Sequence, residues 1–415
     1  MDGMRTRGQP VAIAAIRAML GSGLPHAILL AGPGGIGKTT LALDVAAALL
    51  CGAAEPSARP CRACRGCRMV DHGNHPDLHR LAPVGAGATI PIGGREDRGV
   101  RDLVAELSLM PVEGGARVAI IERAERMTED AQSALLKTLE EPPAGTTILL
   151  CADDEERLLP TISSRSARVR LGAVGPRDVE AVLVGQGVAD APTAARLARI
   201  TDGRPGHAIA YALAPEAVVL RGEIARTILD LHGAGLTARL TGLRELALRA
   251  AEMARALDAG SARSAQDTGP AAGPRGRGRG RAGAANGALG GPPASAPPAA
   301  AASSDEPAGG DEPPPGDERA ARVPAAERRR GALALLEIWR TVVRDLGLVV
   351  VGAPGSVRDQ DLIDDLLPAA GRLTTASVGA ALGRLDVAAE RLEGNVSPEL
   401  VLDVLALHWT AAGGV

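Results

Sequence analysis

The stretch Ala27–Leu50, AILLAGPGGIGKTTLALDVAAALL, decides how the chain is read. Ala27 to Ala31 is a short apolar run, the pattern of a buried strand. Gly32 to Thr39 fits G-x-x-x-x-G-K-[ST], and Thr40 to Leu50 consists of strong helix formers. Strand, glycine-rich loop and helix stand in the order that phosphate binding requires. Gly32, Gly34, Gly35 and Gly37 let the backbone curl so that its N–H groups face phosphate oxygens. The helix N-terminus adds its partial positive charge at the same spot. In such a loop Lys38 reaches the β and γ phosphates, and Thr39, followed by Thr40, stands where Mg²⁺ is held. A site for ATP and Mg²⁺ is expected. The alternative is a glycine-rich strand–helix turn without a ligand.

Outward from this stretch, short apolar strands alternate with helical segments. Strands are expected at Asp77–Leu81, Val118–Ile121, Thr146–Cys151 and Ala167–Leu171. Helices are expected at Val11–Leu20, Gly99–Met110 and Thr128–Leu139, the last with Thr128 as N-cap and Pro142 and Pro143 as its stop. Residues 84–97 are glycine-rich and polar and are expected to be a surface loop. The alternation makes this an α/β unit with a parallel sheet. From Pro176 onward the pattern is helical, in short segments at 176–186, 191–201 and 207–213, then in longer ones over Val218–Ala256 and from Glu327 to the end.

Composition limits what else the chain does. In 415 residues there is room for two or three domains. The aromatic share is 1%, with no Phe, so the cores must be built from Leu, Val, Ile and Ala. A net charge of −3 gives no global signature of a nucleic-acid binder. No apolar run approaches the roughly 20 residues of a membrane span, and MDGMRTRGQP has no signal-peptide core. A cytoplasmic protein is expected. Ser261 to Pro324 is dominated by Ala, Gly, Pro, Ser and charge, and cannot bury enough apolar surface to fold. Its Arg-Gly alternation at Arg275, Arg277, Arg279 and Arg281 leaves open a nucleic-acid contact beside the plainer reading of a solvated linker.

Four of the five cysteines cluster after the glycine-rich loop. Cys61, Cys64 and Cys67 are spaced C-x2-C-x2-C, with Cys51 upstream. Four thiolates at this spacing close a tetrahedron around Zn²⁺, and a site with four Cys ligands is structural because no position stays open. Free cysteines in an arginine-rich loop are the alternative. His72, His75 and His79 are nearby but not needed as ligands. Cys151 falls in an apolar strand, as a buried, inert thiol.

ATP hydrolysis needs an acidic pair at the end of a neighbouring strand, one residue for Mg²⁺ and one to polarise water. Here the strand Val118–Ile121 ends in Glu122-Arg123. Glu122 can still stand near Mg²⁺, but Arg123 cannot act as a base. Glu125 would have to fold back to replace it.

The run IIERAERMTEDAQSALLKTLEEPP, Ile120 to Pro143, strongly resembles the clamp-loader branch of the AAA+ ATPases. PHAILLAGPGGIGKTT, the four-Cys loop and TISSRS lie in the order of that family, over about residues 1–210. The resemblance implies an AAA+ P-loop domain with a zinc loop over 1–171 and a helical lid over 172–213. It implies a helical collar over 214–258 and 327–415, interrupted by a disordered insert at 259–326. Ser164-Arg165-Ser166 is similar to the Ser-Arg-Cys motif of the family, which makes Arg165 an arginine finger acting on a neighbouring subunit. Gly203-Arg204-Pro205-Gly206 resembles the segment with the sensor arginine, whose place falls on Gly206. The family role is then a stator that binds nucleotide, hydrolyses it poorly or not at all, and helps its neighbour fire. Its partners would be the other subunits of a pentameric loader, a sliding clamp and primed DNA, within a replicative polymerase assembly, a nucleotidyltransferase. An active ATPase motor of the same family is the competing reading, and a DNA-binding protein using the Arg-Gly stretch is a third.

Overall fold

The computed structural model describes residues 3–83, 89–94, 97–113, 115–267, 323–394 and 396–408, with backbone alone for 261–267. Five parallel strands form the first unit: β1 (Ala27–Ala31), β2 (Leu78–Leu81), β3 (Arg117–Ile121), β4 (Thr146–Ala152) and β5 (Ala167–Arg170). Their order is β2-β3-β4-β1-β5. Every residue of β1, β3 and β4 is buried, which is why these strands read as continuous apolar runs rather than as an alternation. β1 lies between β4 and β5, neither of which is the next strand in the chain, so its C-terminal end is a topological switch point.

Helices α1 (Pro10–Ser22), α2 (Lys38–Leu49), α3 (Arg65–Asp71), α4 (Val100–Leu107), α5 (Glu129–Glu140) and α6 (Pro160–Ser164) accompany the sheet. α2 begins at Lys38, two residues before the expected Thr40, because Gly37 turns left-handed (φ 104°) and launches the helix at once. Thr128 caps α5 by accepting the Ala131 N–H, as its position foretells. α4 stops at Leu107, not Met110. The following turn leaves Leu109, Met110 and Val112 exposed, and it is held from below by Asp77, which accepts the N–H groups of Val112 (2.7 Å) and Glu113 (3.0 Å). The expected surface loop 84–97 is only partly one. Ile90 is fully buried and bridges Met127, while 84–88 and 95–96 lie outside the described residues.

α7 (Pro176–Gly185), α8 (Ala191–Ile200) and α9 (Pro205–Leu213) follow, then α10 (Pro215–Leu231), α11 (Leu236–Asp267), α12 (Ala325–Val350), α13 (Ile363–Ala370), α14 (Thr375–Glu393) and α15 (Pro398–His408). The chain's abundant proline opens six of its helices at N1, where the missing N–H costs nothing: Pro10, Pro160, Pro176, Pro205, Pro215 and Pro398. Most of the segment expected to be a disordered insert, 268–322, lies outside the described residues. Its expected ends need correction, because the backbone stays helical to Asp267 and is helical again from Ala325. Leu246 and Ala250 of α11 share one core with Leu335 and Trp339 of α12. The sequences on either side of the insert therefore pack together.

Within the first unit, Asp44 is fully buried in α2. It accepts the Arg5 N–H (3.0 Å), the Thr6 N–H (2.9 Å) and the Thr6 hydroxyl (2.6 Å), and pairs with Arg62 of the cysteine loop. Arg62 also pairs with Asp71 at the end of α3 (2.6 Å). Replacing Asp44 with alanine leaves the Arg5 and Thr6 N–H groups without their acceptor and takes from Arg62 one of its two carboxylate partners. Asp44→Ala is expected to cost about 3–5 kcal/mol in urea unfolding of the full chain, the range for breaking a buried ion pair from one side.

Candidate nucleotide site and cysteine cluster

The loop after β1 lies at the floor of a cleft of about 360 Å³. Gly35, Gly37, Lys38, Thr39, Thr40 and Glu122 line it, together with Arg123, Cys151 and Asp153 at strand ends. Arg5, Thr6 and Arg7 of the N-terminal segment line it as well, as do Val182, Gln186, Pro205, Gly206 and Ile209 of the helical segment. Gly32 and Gly34 stand behind the cleft. At Gly32 (φ 151°) a Cβ would meet the Leu171 carbonyl oxygen at 2.3 Å, so only glycine lets β5 pass this close.

Helix α9 closes on the loop. The Gly206 N–H donates to the Gly35 carbonyl at 2.8 Å. Gly35 (φ 75°) also leaves room for His207, whose Cδ2 would lie 2.6 Å from an added Cβ. Burial holds the His207 imidazole below its ordinary range, so it is neutral near pH 7. Arg204 turns away to Glu337 of α12 at 2.5 Å. The helical segment therefore offers the loop a backbone N–H and a neutral ring. Sequence reasoning missed His207, since nothing local marks one buried histidine in a short helix.

The acidic groups at the strand ends are all engaged. Glu122 receives Arg80 Nε at 3.0 Å. Arg123 adopts a left-handed backbone (φ 51°) and sits 3.8 Å from Glu125. Glu125 is buried and accepts the Asp153 N–H at 3.1 Å, so it braces the turn after β4 and does not line the cleft. Asp153 itself lies 2.6 Å from Lys38 Nζ. Sequence reasoning passed it over, although an acidic residue directly beyond a buried strand that neighbours β1 was a readable signal. Cys151 is buried with its thiol pushed up to about 12 by burial, in keeping with an inert core residue.

Arg165 stands outside this cleft, at the C-terminus of α6. It is 37% exposed, with an exposed ion pair to Glu140 at 2.8 Å and a hydrogen bond to the Thr161 carbonyl at 3.2 Å.

Cys51, Cys61, Cys64 and Cys67 converge with all four sulfurs within 4.8 Å of one another. The Cys51–Cys64 sulfur separation is 3.9 Å. A tetrahedron with metal–sulfur bonds of about 2.3 Å has edges of about 3.8 Å. Backbone N–H groups of Gly52 and Cys67 donate to Cys64 Sγ at 3.4 Å, and that of Cys64 to Cys61 Sγ at 3.4 Å. The N–H groups of Ala63 and Cys64 draw the Cys61 thiol down to about 6, while burial pushes Cys67 up to about 12. This cluster can hold a metal ion. The short helix α3, which sequence reasoning did not foresee, delivers Cys67 onto α2. His75 and His79 are otherwise engaged, with the Asp77 N–H (3.1 Å) and with Glu106 (2.8 Å).

Burial raises the Glu125 carboxyl above its ordinary 4.5; the Asp153 N–H opposes this and the Asp153 charge adds to it. The folded state then holds a proton that the unfolded state has lost between 4.5 and the raised value, so stability falls as pH rises through that window. In Glu125→Gln that part of the fall is expected to vanish, read from urea midpoints across pH.

Comparison with known proteins bears on the same region. A family model described as DNA polymerase III, delta subunit, matches residues 8–174. The DNA polymerase III subunit delta' of Bacillus subtilis is 32% identical over 209 residues, covering 50% of this chain and 60% of that protein. That of Pseudomonas aeruginosa is 45% identical over 140 residues, 34% of this chain and 41% of that protein. The DNA polymerase III subunit tau of Salmonella typhimurium is 33% identical over 183 residues, 43% of this chain and 27% of that protein. The chain spans about half the length of the curated delta' relatives it matches. Over its N-terminal region, the part that holds the glycine-rich loop and the four cysteines, the chain is similar to DNA polymerase III delta' subunits.

Proposed function

We propose that this chain is the stator subunit of a DNA polymerase III clamp loader, supporting ATP-driven loading of a sliding clamp onto primed DNA in the cytoplasm. The observation that carries this reading is the state of the acidic groups around an intact P-loop. Glu122 is tied to Arg80, Arg123 occupies the place of the second acidic residue, and Glu125 is buried beneath Asp153. The described residues offer no free carboxylate in the cleft to polarise an attacking water. Gly32, Gly34, Gly35, Gly37, Lys38, Thr39, Thr40 and Glu122 would serve binding rather than turnover. On this reading Arg165 acts in trans, stabilising charge on a γ-phosphate held by a neighbouring tau/gamma subunit. Its exposure fits that role. With a delta subunit these would form a hetero-pentamer within the polymerase holoenzyme. The units 1–171, 172–213 and 214–258 with 327–415 would be its AAA+, lid and collar domains. The four cysteines would hold a structural Zn²⁺ that fixes the loop to α2. The similarity to a tau subunit favours a second reading, an ATPase motor.

Steady-state hydrolysis of Mg·ATP by the purified chain, with Lys38→Ala as the blank, separates the two. No turnover above the blank is expected, and turnover that disappears with Lys38 would favour the motor. Arg165→Ala is expected to lower the DNA-stimulated ATPase of the reconstituted loader by the share of the one site it serves, with assembly intact by gel filtration. An unchanged rate would remove the finger assignment. Elemental analysis is expected to find one zinc per wild-type chain, with loss of the ion and a lower melting temperature in Cys64→Ser.

A further inference from the structure

The seat of Lys38 is already filled from within the chain. An ammonium group has three protons to donate. Three oxygens stand ready for them: the carbonyls of Gly32 (2.5 Å) and Pro33 (2.7 Å), and Asp153 Oδ1 (2.6 Å). Lys38 is 6% exposed and Asp153 35%, so the pair lies at the floor of the cleft with the carboxylate on the open side. Asp153 is fixed at both ends. Its N–H is held by Glu125, and its Oδ2 rests over Gly34, 3.1 Å from where a Cβ would stand. The other cations of the cleft are engaged as well, Arg7 with the Met4 carbonyl (2.6 Å), Arg5 with Asp71 (2.8 Å) and Arg123 beside Glu125.

We propose that Asp153 is an internal counter-ion that stands in for the terminal phosphate, so that the seat takes a nucleoside diphosphate in preference to a triphosphate. The inference rests on the nucleotide reading of the loop and not on the loader role. In a P-loop the backbone N–H groups cradle the inner phosphates, and the lysine adds its charge at the β and γ positions. Asp153 leaves the backbone cradle alone and takes the lysine. A γ-phosphate entering beside Lys38 meets a carboxylate at close range in a half-buried site, where like charges repel far more than in water. A diphosphate avoids most of that cost.

The test is calorimetric titration of the full chain with Mg·ADP and Mg·ATP. Wild type is expected to bind ADP at least tenfold more tightly than ATP, and equal or reversed affinities would overturn the proposal without using any variant. Asp153→Asn keeps the shape and removes the charge. It is expected to raise ATP affinity at least tenfold, with a smaller change for ADP, and the gain should disappear in Asp153→Asn/Lys38→Ala. If wild type and Asp153→Asn bind ATP equally, the proposal fails while the nucleotide reading stands. If ATP affinity falls in Asp153→Asn, the carboxylate serves Mg²⁺ and the proposal also fails. Binding of neither nucleotide by either protein would remove the nucleotide reading itself.

Discussion

A buried carboxylate on the outer face of α2 joins the parts of the N-terminal unit that sequence distance keeps apart. Asp44 has no water to solvate it, so its charge is tolerable only because the N-terminal segment and the cysteine loop both bring donors to it. The geometry has consequences on both sides. Arg5 and Thr6 are drawn down beside the loop, where with Arg7 they line the cleft. Arg62 is drawn across the cysteine loop and linked on to Asp71. The phosphate loop, the N-terminal segment and the cysteine cluster are thus one structural piece built around α2.

Acidic residues at the C-terminal ends of β3 and β4 show the same economy in reverse. In an open α/β sheet the ligand crevice lies beyond those ends, at the switch point beside β1. Glu122 and Asp153 line it and Glu125 is buried behind the turn after β4, and each is neutralised or used within the chain: by Arg80, by Lys38 and by a backbone N–H. The charges of these carboxylates are answered within the chain. That pattern agrees with a subunit whose proposed contribution lies at its surface, at Arg165, and not in its own seat.

Much of this was legible in the sequence because it is local. Buried parallel strands read as apolar runs, the glycine loop reads as a motif, and the four cysteines converge as their spacing implies. Thr128 reads as a cap because its partner lies three residues away. What could not be read depends on partners distant in the chain. Asp44 looks like an ordinary polar residue in a helix until Arg62 and Thr6 are placed beside it. By sequence Glu125 has to fold back to reach the site, yet in the structure its partner is the backbone N–H of Asp153. Nothing near Arg204 in the sequence announces Glu337, because the helix that captures it, α12, lies beyond more than a hundred residues of chain. The apolar helical pattern ends at Ala256, yet the backbone remains helical to Asp267, since alanine-rich sequence can continue a helix without an apolar face.

A proposed stator must hold its helical units at fixed angles, and two kinds of contact are available for this. Ion pairs bridge the units at Arg204–Glu337, Arg196–Asp361, Arg358–Asp202 and Arg157–Glu393. All are at least partly exposed, so each contributes about 0–1 kcal/mol and salt weakens them further. The apolar contacts are more substantial. Val179, Leu183, Leu197 and Ala208 of the second unit belong to the same core as Ile28 and Leu30 of β1. Tyr211 packs against that core and against the C-terminal one, with its hydroxyl 3.8 Å from Met253 Sδ. At Gly260 a Cβ would stand only 3.3 Å from Leu213 and Ala214, which shows how closely α11 approaches the end of α9. Continuous apolar packing through α9 therefore joins the first unit, the second unit and the C-terminal helices.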